Sequence, residues 1–586
     1  MPPDQRRDRW NTLTSSAFDV LVVGGGITGA GVALDAAARG LSVALVERHD
    51  LASGTSSKSS KLVHGGVRYL RQAQFGLVHE ALTERRRLLH NAPHLVHPLP
   101  FLVPTVAAHR RHRTRARLLG WAARIGLGLY DLMGGRALHR TRKVPLDEAV
   151  QIMPSLDVER VTSAYCYYDA HVDDARLTLT VARTAVEDYG VTLLTYAEVT
   201  GFVREGDRTT GADVTDVLGD LGTCRVRAEV VVNATGVWAD EVRKLDEGTH
   251  PESIRPAKGV HLTVPAERLP LETAAVLGVA GDDRIIFVIP WGGHTYIGTT
   301  DTDYDESLDT PTCTTEDVRY LLDAVNAVVT EPLTAADVTG TWAGLRPLVR
   351  TGKGDTTDQL SRRHAVIVGE SGVVTVIGGK LTTYRRMAAD AVDAALGVLA
   401  ARRRNGGRHF RHQRSPTVDL PLRGAPTRDG VADGTAPDIA GLVGDDAATH
   451  LVDTYGTDAS AVAALVVDNS ALADPLVPDL PYLAAEAVHA VRAEYALTLG
   501  DVLARRTRAL LLDADATADA APAVAALIAP ELGWDDIETR RQVEAFAALA
   551  AGDERAPHAL AGRAPGAATR PAHPAHVGYA DSDGRS

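Results

Sequence analysis

The stretch Phe18–Arg48, FDVLVVGGGITGAGVALDAAARGLSVALVER, decides the fold of this chain. Its first part, Phe18–Val23, is a short apolar run that predicts a buried strand. Val32–Arg39 then predicts an apolar helix, and Ser42–Val46 predicts a second strand. Strand, helix and strand in this order form a βαβ unit, which predicts a parallel sheet and an α/β fold class.

The glycine-rich turn inside this unit predicts a dinucleotide-binding site. Gly24, Gly26 and Gly29 fit the spacing GxGxxG, which permits a tight turn, close approach of a pyrophosphate and close packing of helix on strand. The pyrophosphate would lie on the helix N-terminus, where free N–H groups and the helix dipole favour an anion. Glu47, at the end of the second strand, offers a carboxylate to both ribose hydroxyls and disfavours a 2′-phosphate. The alternative is a structural βαβ unit whose glycines bind nothing.

Two later segments favour FAD over NAD as the dinucleotide. Ala228–Trp238 predicts a buried strand that ends in the turn Ala234-Thr235-Gly236. Gly372–Tyr384 predicts another strand, which breaks at Gly378-Gly379 before a helix. A helix N-terminus aimed at the pyrimidine edge of a flavin would stabilise the anionic reduced ring. Cofactor contacts at three separate strand ends suit the long FAD molecule, although each segment alone also fits an ordinary α/β turn.

Charge and cysteine content disfavour several classes of function. The 586-residue chain carries 62 Lys and Arg against 75 Asp and Glu, a net charge of −13, which argues against nucleic-acid binding. Its three cysteines lie far apart in sequence, so neither a disulfide framework nor a thiolate zinc site is expected. No apolar run approaches the ~18 residues of a membrane-spanning helix, and the run after Arg6 and Arg7 is too short for a signal sequence. We therefore expect a cytoplasmic protein without a metal site.

Composition also predicts how the chain is divided. We expect a disordered N-terminus over 1–16, a mixed α/β body over 17–400, a linker over 401–438, a helical domain over 439–550 and a disordered tail over 551–586. The helical domain is predicted because the segment is rich in Ala and Leu at helical spacing, whereas the linker and the tail are rich in Pro and Gly.

Several longer motifs closely resemble those of the aerobic, FAD-dependent glycerol-3-phosphate dehydrogenases. They are TSSKSSKLVHGGVRYL (Thr55–Leu70), YDAHVDDARL (Tyr168–Leu177), VNATGVW (Val232–Trp238), IPWGGHTYIGTTD (Ile289–Asp301), GLRPL (Gly344–Leu348) and GGKLTTYR (Gly378–Arg385). AEYALTLGDVLARRTR (Ala493–Arg508) resembles their C-terminal helical domain. The resemblance covers most of the chain but not the linker or the tail.

The resemblance implies a fold and a reaction. The fold is a Rossmann-like FAD-binding domain, formed by about 17–75, 190–245 and 365–400, with an antiparallel-sheet substrate cap formed by about 76–189 and 246–364, and a C-terminal all-helical domain. The reaction is oxidation of sn-glycerol 3-phosphate to dihydroxyacetone phosphate. A hydride leaves C2 for flavin N5, and the electrons pass to a membrane quinone.

The resemblance also implies which residues bind the phosphorylated substrate. The candidates are Arg68 with Tyr69, Arg346, Lys380 and Arg362, because Arg offers phosphate a planar fork of donors and Lys a point charge. Arg346 and Lys380 are also candidates for lowering the cost of a developing alkoxide. Structural alternatives stay open: Arg68 and Tyr69 would cap a helix, Arg346 would hold a strand turn, and Lys380 would only neutralise the flavin.

His261 is the candidate proton acceptor. The C2 hydroxyl has to lose its proton, and histidine titrates closest to neutral pH. By the resemblance, His261 in the segment Lys258–Val264 lies near the substrate, as a base or as a group that polarises the oxygen.

The polar loop after Glu47 supplies further candidates for cofactor binding. Its members are Thr55, Ser56, Ser57, Ser60, Lys61 and His64. Small hydroxyls and N–H groups suit a diphosphate and the edge of a flavin ring, although Ser-rich loops are commonly just solvated. The adjacent pair Asp173 and Asp174 is interpreted as a helix N-terminus rather than a metal site, because no third ligand is near in sequence.

A basic and apolar segment over 109–134 is a candidate for peripheral contact with the inner face of the plasma membrane. HRRHRTRAR (His109–Arg117) precedes an apolar stretch that carries Trp121, a pattern that suits an anionic leaflet; the alternative is a solvated basic loop before a buried helix. The sequence leaves three other functions open: a glycerol-3-phosphate oxidase that uses oxygen, an amino-acid or 2-hydroxy-acid oxidase, and a flavin-binding module without turnover. It does not decide the oligomeric state, for which a homodimer is one candidate.

Overall fold

The structure is a computed structural model that describes residues 1–71, 74–106, 126–134, 138–249, 251–279, 284–350, 363–402, 414–426 and 435–562. In chain order its strands are β1 Ala17–Val23, β2 Val43–Val46, β3 Leu62–Val63, β4 His97–Val106, β5 Arg142–Val144, β6 Val161–His171, β7 Thr192–Leu194, β8 Ala197–Glu205, β9 Arg208–Asp216, β10 Thr223–Asn233, β11 Ile254–Pro265, β12 Ala274–Gly278, β13 Ile285–Trp291, β14 His294–Gly298, β15 Thr302–Asp303, β16 Gly340–Val349, β17 Ala365–Val368 and β18 Val374–Ile377.

The helices lie between the strands and after them. Their bounds are Pro3–Ser15, Ile27–Ala38, Arg68–Arg71, Phe75–Asn91, 126–134, Leu146–Ile152, Asp174–Arg183, Ala239–Glu247, Thr315–Asn326, Tyr384–Arg402, Thr435–Val443, Asp445–Tyr455, Ala459–Asp468, Ala484–Ala493, Ala509–Leu512, Ala514–Leu532 and Asp536–Ala561. None of the helices described is long and apolar enough to cross a membrane.

The first sheet is built around the predicted βαβ unit. Its strands run in the order β17-β18-β10-β1-β2-β7, with β9 and then β8 added beyond β10. β1 pairs in parallel with β2 and β10, and β10 in parallel with β18. The predicted strands at Phe18 and Ser42 are confirmed, and so is the α/β class. The helix between them begins at Ile27, earlier than predicted, and includes Gly29 and Gly31, whose neighbouring atoms leave no room for side chains.

The second sheet has ten strands. It runs in the order β15-β11-β14-β13-β12-β4-β6-β3, with β16 paired to β11 and β5 to β6. The implied antiparallel cap needs one correction, because β4 pairs with β12 in parallel. Helix Asp174–Arg183 lies within the range 76–189 that was implied for the cap. It packs instead on helix Ile27–Ala38, which connects β1 and β2 of the first sheet.

Both predicted disordered ends of the chain are partly ordered. The N-terminal segment, expected to be disordered over 1–16, forms helix Pro3–Ser15, whose Trp10 and Leu13 are buried against the first sheet. The tail, expected to be disordered from 551, continues the last helix to Ala561. In both segments a few apolar contacts with distant residues order a stretch whose composition is mostly polar or small.

The predicted linker is also partly packed. Of the range 401–438, the structure describes 401–402, 414–426 and 435–438, and the helix that opens the C-terminal part begins at Thr435 rather than 439. Leu420 and Leu422 are buried in the same apolar core as the first sheet, so this segment is held by the body of the chain. Of the segment 109–134 predicted for membrane contact, 109–125 lies outside the described residues, whereas 126–134 is helical.

Candidate functional site

The predicted cofactor turns lie side by side at one edge of the first sheet. In the parallel pairing, Val23 of β1 is opposite Asn233 of β10, and Asn233 is opposite Thr375 of β18. The turns that follow these three strands therefore meet at the carboxyl edge, where α/β sheets bind ligands. This confirms the predicted convergence of strand ends that are far apart in sequence.

The glycine turn is crowded by backbone atoms, which explains its composition. Gly24 has φ +106°, and a Cβ there would lie 2.8 Å from the carbonyl oxygen of Ala234. A Cβ at Gly29 would lie 1.8 Å from the carbonyl oxygen of Gly24. The first turn of the following helix thus stays open, and the hydroxyl of Ser56 accepts from the N–H of Ile27 at 2.9 Å. Such a turn fits the diphosphate of a dinucleotide.

Glu47 lies at the end of β2, at the position predicted for the ribose. Its two carboxylate oxygens accept from the backbone N–H groups of Gly25 at 2.6 Å and His49 at 2.8 Å. Burial raises the pKa of Glu47, while these two hydrogen bonds lower it. The hydrogen bonds fix the direction of the carboxylate, which retains acceptor capacity for ribose hydroxyls.

One cavity of about 670 Å³ is lined both by the glycine turn and by residues of the second sheet. Most of the predicted residues line it: Gly24, Gly26, Glu47, Thr55, Ser56, Ser60, His64, Tyr69, Ala234, Thr235, Gly236, His261, Arg346, Gly378, Gly379 and Lys380. The size and the open glycine turn fit a dinucleotide with a small second ligand. Within the described residues no cluster of His, Cys, Asp or Glu could hold a metal ion.

His261, on β11, is held at the cavity wall by two contacts. Its Nε2 lies 2.8 Å from the Ser60 hydroxyl, and its ring stacks on Trp342 at 4.7 Å with an interplanar angle of 9°. Burial, followed by the positive charges of Arg346 and Lys61, holds the pKa of His261 well below its usual value. The imidazole is therefore neutral near pH 7 and has a lone pair that can accept a proton.

Arg346 and Lys380 bring positive charge to the same cavity. The Arg346 guanidinium donates to Asp301 at 3.1 Å, to the Thr299 hydroxyl at 3.1 Å, and to carbonyl oxygens at Lys258 and Thr300. These bonds fix its plane, while 23% of the side chain stays exposed. The Lys380 ammonium lies 3.8 Å from the centroid of the Tyr69 ring, a cation–π contact.

Some predicted residues do not line the cavity. Gly29 lies beneath the turn, where it allows close packing instead of contacting a ligand. Ser57 is buried, with its hydroxyl turned to the carbonyl of Gly54. Lys61 was predicted to bind the cofactor, and this is corrected: its ammonium is buried in an ion pair with Asp174 at 2.9 Å. The side chain of Arg68 and the whole of Arg362 lie outside what the structure describes.

The sequence analysis missed a set of contacts at the opposite end of the cavity. Arg48 and the indole N–H of Trp238 both donate to Asp309, at 2.5 Å and 2.9 Å. Arg48 also lies over the Trp238 ring at 5.2 Å. Arg48 could have been noticed because it follows Glu47, but no motif indicates Asp309, which comes from a loop of the second sheet.

The predicted helix cap at Asp173 is confirmed. Its carboxylate accepts from the N–H of Arg176 at 2.9 Å and so caps helix Asp174–Arg183. Asp174, directly beside it, is turned inward and pairs with buried cations. The two neighbouring carboxylates therefore make different contacts: Asp173 caps the helix, and Asp174 forms ion pairs.

Comparison with known proteins places two family models on the chain. The model described as FAD dependent oxidoreductase matches residues 19–385, and the model described as C-terminal domain of alpha-glycerophosphate oxidase matches residues 415–539. Two relatives are glycerol-3-phosphate dehydrogenase 2 of Mycobacterium tuberculosis and the mitochondrial glycerol-3-phosphate dehydrogenase of Homo sapiens. The first is 44% identical over 550 residues, 93% of this chain and 90% of the relative. The second is 36% identical over 568 residues, 93% of this chain and 74% of the relative.

A solved structure is similar over nearly the same length. It is the glycerol-3-phosphate dehydrogenase from Bacillus halodurans complexed with FAD, with a TM-score of 0.75 and 30% identity. The match covers 94% of this chain and 98% of that one.

Proposed function

The chain belongs to the family of FAD-dependent glycerol-3-phosphate dehydrogenases, and from this premise we propose that it oxidises sn-glycerol 3-phosphate at C2 to dihydroxyacetone phosphate. Its cofactor is FAD. When bound, FAD supplies the acceptor for the hydride that leaves C2. We further propose that the electrons pass to a membrane quinone.

One observation carries the proposal: His261, Arg346 and Lys380 line the same cavity as the glycine turn. A proton acceptor and two cations in one cavity are what oxidation of a phosphorylated alcohol requires. The cavity continues without a break to Glu47, which leaves room for a long cofactor beside a small substrate.

The phosphate is bound by cations in this proposal. Lys380 offers a compact charge, and Tyr69 beneath it keeps the ammonium in place. Arg346 contributes a planar fork whose direction is set by Asp301, although that carboxylate also offsets part of its charge. Arg68 and Arg362 remain further candidates for phosphate binding.

The proton of the C2 hydroxyl goes to His261 in this proposal. The imidazole is neutral, so it can take the proton at Nε2 once the Ser60 hydroxyl turns its own hydrogen away. Arg346 lies close enough to lower the pKa of His261, and the same charge would stabilise a developing alkoxide. If the hydroxyl proton is removed while the hydride leaves C2, the product is a neutral ketone rather than a protonated, cationic one.

The cofactor is held by backbone rather than by charge at its diphosphate. We assign this contact to Gly24 and Gly26 with the Ser56 hydroxyl, and the ribose to Glu47. The turns at Thr235 and at Gly378-Gly379 are assigned to the flavin half, because they follow β10 and β18 at the same sheet edge.

An anaerobic spectrum tests the reaction. The purified protein should show a flavin band near ~450 nm that bleaches on addition of sn-glycerol 3-phosphate but not of glycerol, since glycerol lacks the phosphate. A yellow protein that is bleached by 2-hydroxy or amino acids instead would refute the substrate. A colourless protein that does not regain the band with added FAD would refute the cofactor assignment.

The electron acceptor needs a separate measurement. The name of the matched C-terminal model refers to an oxidase, so oxygen is a specific alternative to quinone. After anaerobic bleaching, the reduced protein is mixed with a soluble quinone or with oxygenated buffer. Reoxidation much faster with quinone supports the dehydrogenase, whereas equal or faster reoxidation with oxygen supports the oxidase.

Sedimentation with anionic liposomes tests the proposed membrane contact through 109–134.

A further inference from the structure

A buried cluster of charges lies directly behind the loop that carries Ser60. Asp174 accepts from the ammonium of Lys61 at 2.9 Å and from the guanidinium of Arg508 at 3.2 Å. Its second oxygen accepts from the backbone N–H of Ser59 at 2.8 Å. All three charged side chains are nearly inaccessible to solvent. We call Lys61, Asp174 and Arg508 the buried triad.

The triad joins the C-terminal helical part of the chain to the loop 57–61. Arg508 precedes helix Ala509–Leu512, and its guanidinium also donates to the carbonyl oxygen of Ser57. A second donor of the same guanidinium reaches the carbonyl of Ala504 at 3.0 Å. One arginine thus ties the loop both through Asp174 and directly through its backbone.

The other side of the loop faces His261. Trp342 donates from its indole N–H to the carbonyl of Ser59 at 3.2 Å, and its ring stacks on His261. The ammonium of Lys61 lies 5.0 Å from the centroid of the same ring. Ser60, between Ser59 and Lys61, places its hydroxyl 2.8 Å from Nε2 of His261.

The charges around His261 come from two elements. Arg346 faces it from β16, and Lys61 faces it from the loop before β3; Tyr296 of β14 is the titratable ring beside it. Lys61 in turn is faced by Asp174, Asp173 and Arg508. The protonation of His261 therefore depends on a cation that is fixed by residues outside the cavity.

We propose that the buried triad positions His261: it holds the Ser60 hydroxyl and the Trp342 ring against the imidazole, and so acts on the reaction without touching the substrate. The proposal rests on the proposed function, in which His261 accepts the proton. It assigns Lys61 a positioning role, and it gives the C-terminal helical part a direct influence on the reacting histidine.

The test uses the FAD-loaded full chain with Lys61→Met, which keeps the length of the side chain and removes its charge. Asp174 keeps Arg508 and the N–H groups of Ser59 and Ala175 as partners, so we expect the variant to fold although the loop loses its anchor at Lys61. Lys143→Met, at an exposed position of β5, is the matched control. Lys61→Arg is the conservative variant that restores the charge.

Two readouts separate positioning from simple destabilisation. We expect Lys61→Met to lower kcat by roughly 10²-fold with little change in KM, because a misplaced catalytic group costs about that much. We also expect the titration of His261, followed by NMR of histidine-labelled holoenzyme and assigned with His261→Gln, to move to higher pH. Lys61→Arg should restore this titration, and Lys143→Met should leave both readouts unchanged.

Unchanged kcat and unchanged titration of His261 in Lys61→Met would overturn the proposal. In a Ser60→Ala background the effect of Lys61→Met on kcat should shrink, because the two residues act through one contact. Full additivity of the two effects would count against the proposal.

If Lys61→Met does not retain flavin, Arg508→Lys replaces it. Arg508→Lys keeps a positive charge beside Asp174 but has fewer hydrogen-bond donors than arginine. A wild-type kcat in this variant would again refute the proposal.

Failure of the proposed function is recognised separately. If sn-glycerol 3-phosphate does not bleach the wild-type flavin, the proposed function fails. The NMR titration of His261 still reports whether the triad acts on the imidazole, since it needs no substrate.

Discussion

His261 differs from an ordinary surface histidine in everything that surrounds it. It is 2% exposed, its Nδ1 has no hydrogen-bond partner among the described residues, and both charged neighbours are cations. A histidine in such surroundings stays neutral below the pH at which a free one is protonated. Its usefulness as a base therefore extends into mildly acidic solution.

The first prediction concerns this residue. In His261→Asn, anaerobic bleaching of the flavin by sn-glycerol 3-phosphate should slow by about 10² to 10⁴-fold, because a general base is lost. In the wild type the bleaching rate should hold steady as the pH falls through 6.5, the ordinary pKa of histidine, and decrease only below it. Stopped-flow spectra across the acidic and neutral range measure both.

The control for this prediction is His79→Asn, at an exposed position of helix Phe75–Asn91. It should leave the rate and its pH dependence unchanged. A wild-type rate in His261→Asn would show that another group takes the proton.

Gly29 supports a second prediction. A methyl group there would lie 1.8 Å from the Gly24 carbonyl oxygen, so Gly29→Ala has to open the turn that holds the diphosphate. We expect the variant to be purified with little or no flavin absorbance and with a lower Tm. Gly397→Ala is the matched control: it lies within helix Tyr384–Arg402, where nothing lies within 4 Å of the added Cβ. There the same change should raise stability by about 0.5–1 kcal/mol.

At the scale of elements, the sequence predicted those whose signal is local. β1 and β2 are continuous apolar runs and the glycine turn has fixed spacing, so short-range rules suffice. Helix Pro3–Ser15 was missed because its sequence is polar, and it is ordered by contacts with β7, β9 and β10 of the first sheet. Lys61 was misplaced for a related reason: no pattern tells which side of a loop faces the ligand.

The N-terminal helix carries the third prediction. Arg6 forms a buried ion pair with Asp216 at the end of β9. Arg6→Ala leaves that carboxylate without its charged partner, which should lower the free energy of unfolding by about 3–5 kcal/mol. Denaturant unfolding monitored by tryptophan fluorescence measures the change. Arg7→Ala, one exposed residue further along the same helix, should change it by less than about 0.5 kcal/mol.

At the scale of the whole molecule, buried histidines link stability to pH. Burial lowers the pKa of His94 and of His171 to about 4, compared with 6.5 for a free histidine. Between these values the unfolded chain binds more protons than the folded one, so the free energy of unfolding falls as the pH falls. Each histidine should account for up to about 3 kcal/mol of this loss.

Urea unfolding at about pH 7 and about pH 5 measures this fourth prediction. His171→Gln should reduce the difference in unfolding free energy between the two pH values, since it removes one of the groups that titrate. The same difference in wild type and variant would contradict the assignment of the effect to His171. Buried carboxylates such as Glu494, whose pKa is lowered to about 2 from 4.5, act at lower pH and do not confuse the comparison.

The arrangement of the buried triad has a consequence for protein synthesis. Ser57 and Arg508, which bond to each other, are separated by 451 positions, and Asp50 finds its partner Arg506 at a separation of 456. At about 5–20 residues per second, roughly 20 to 90 seconds pass between the appearance of these partners at the ribosome. The loop that carries Ser60 thus lacks its bond to Arg508, and the buried Asp50 lacks its charged partner, until almost the whole chain has been translated. The loop beside the cofactor pocket therefore gains its last anchors only when synthesis of the polypeptide is nearly complete.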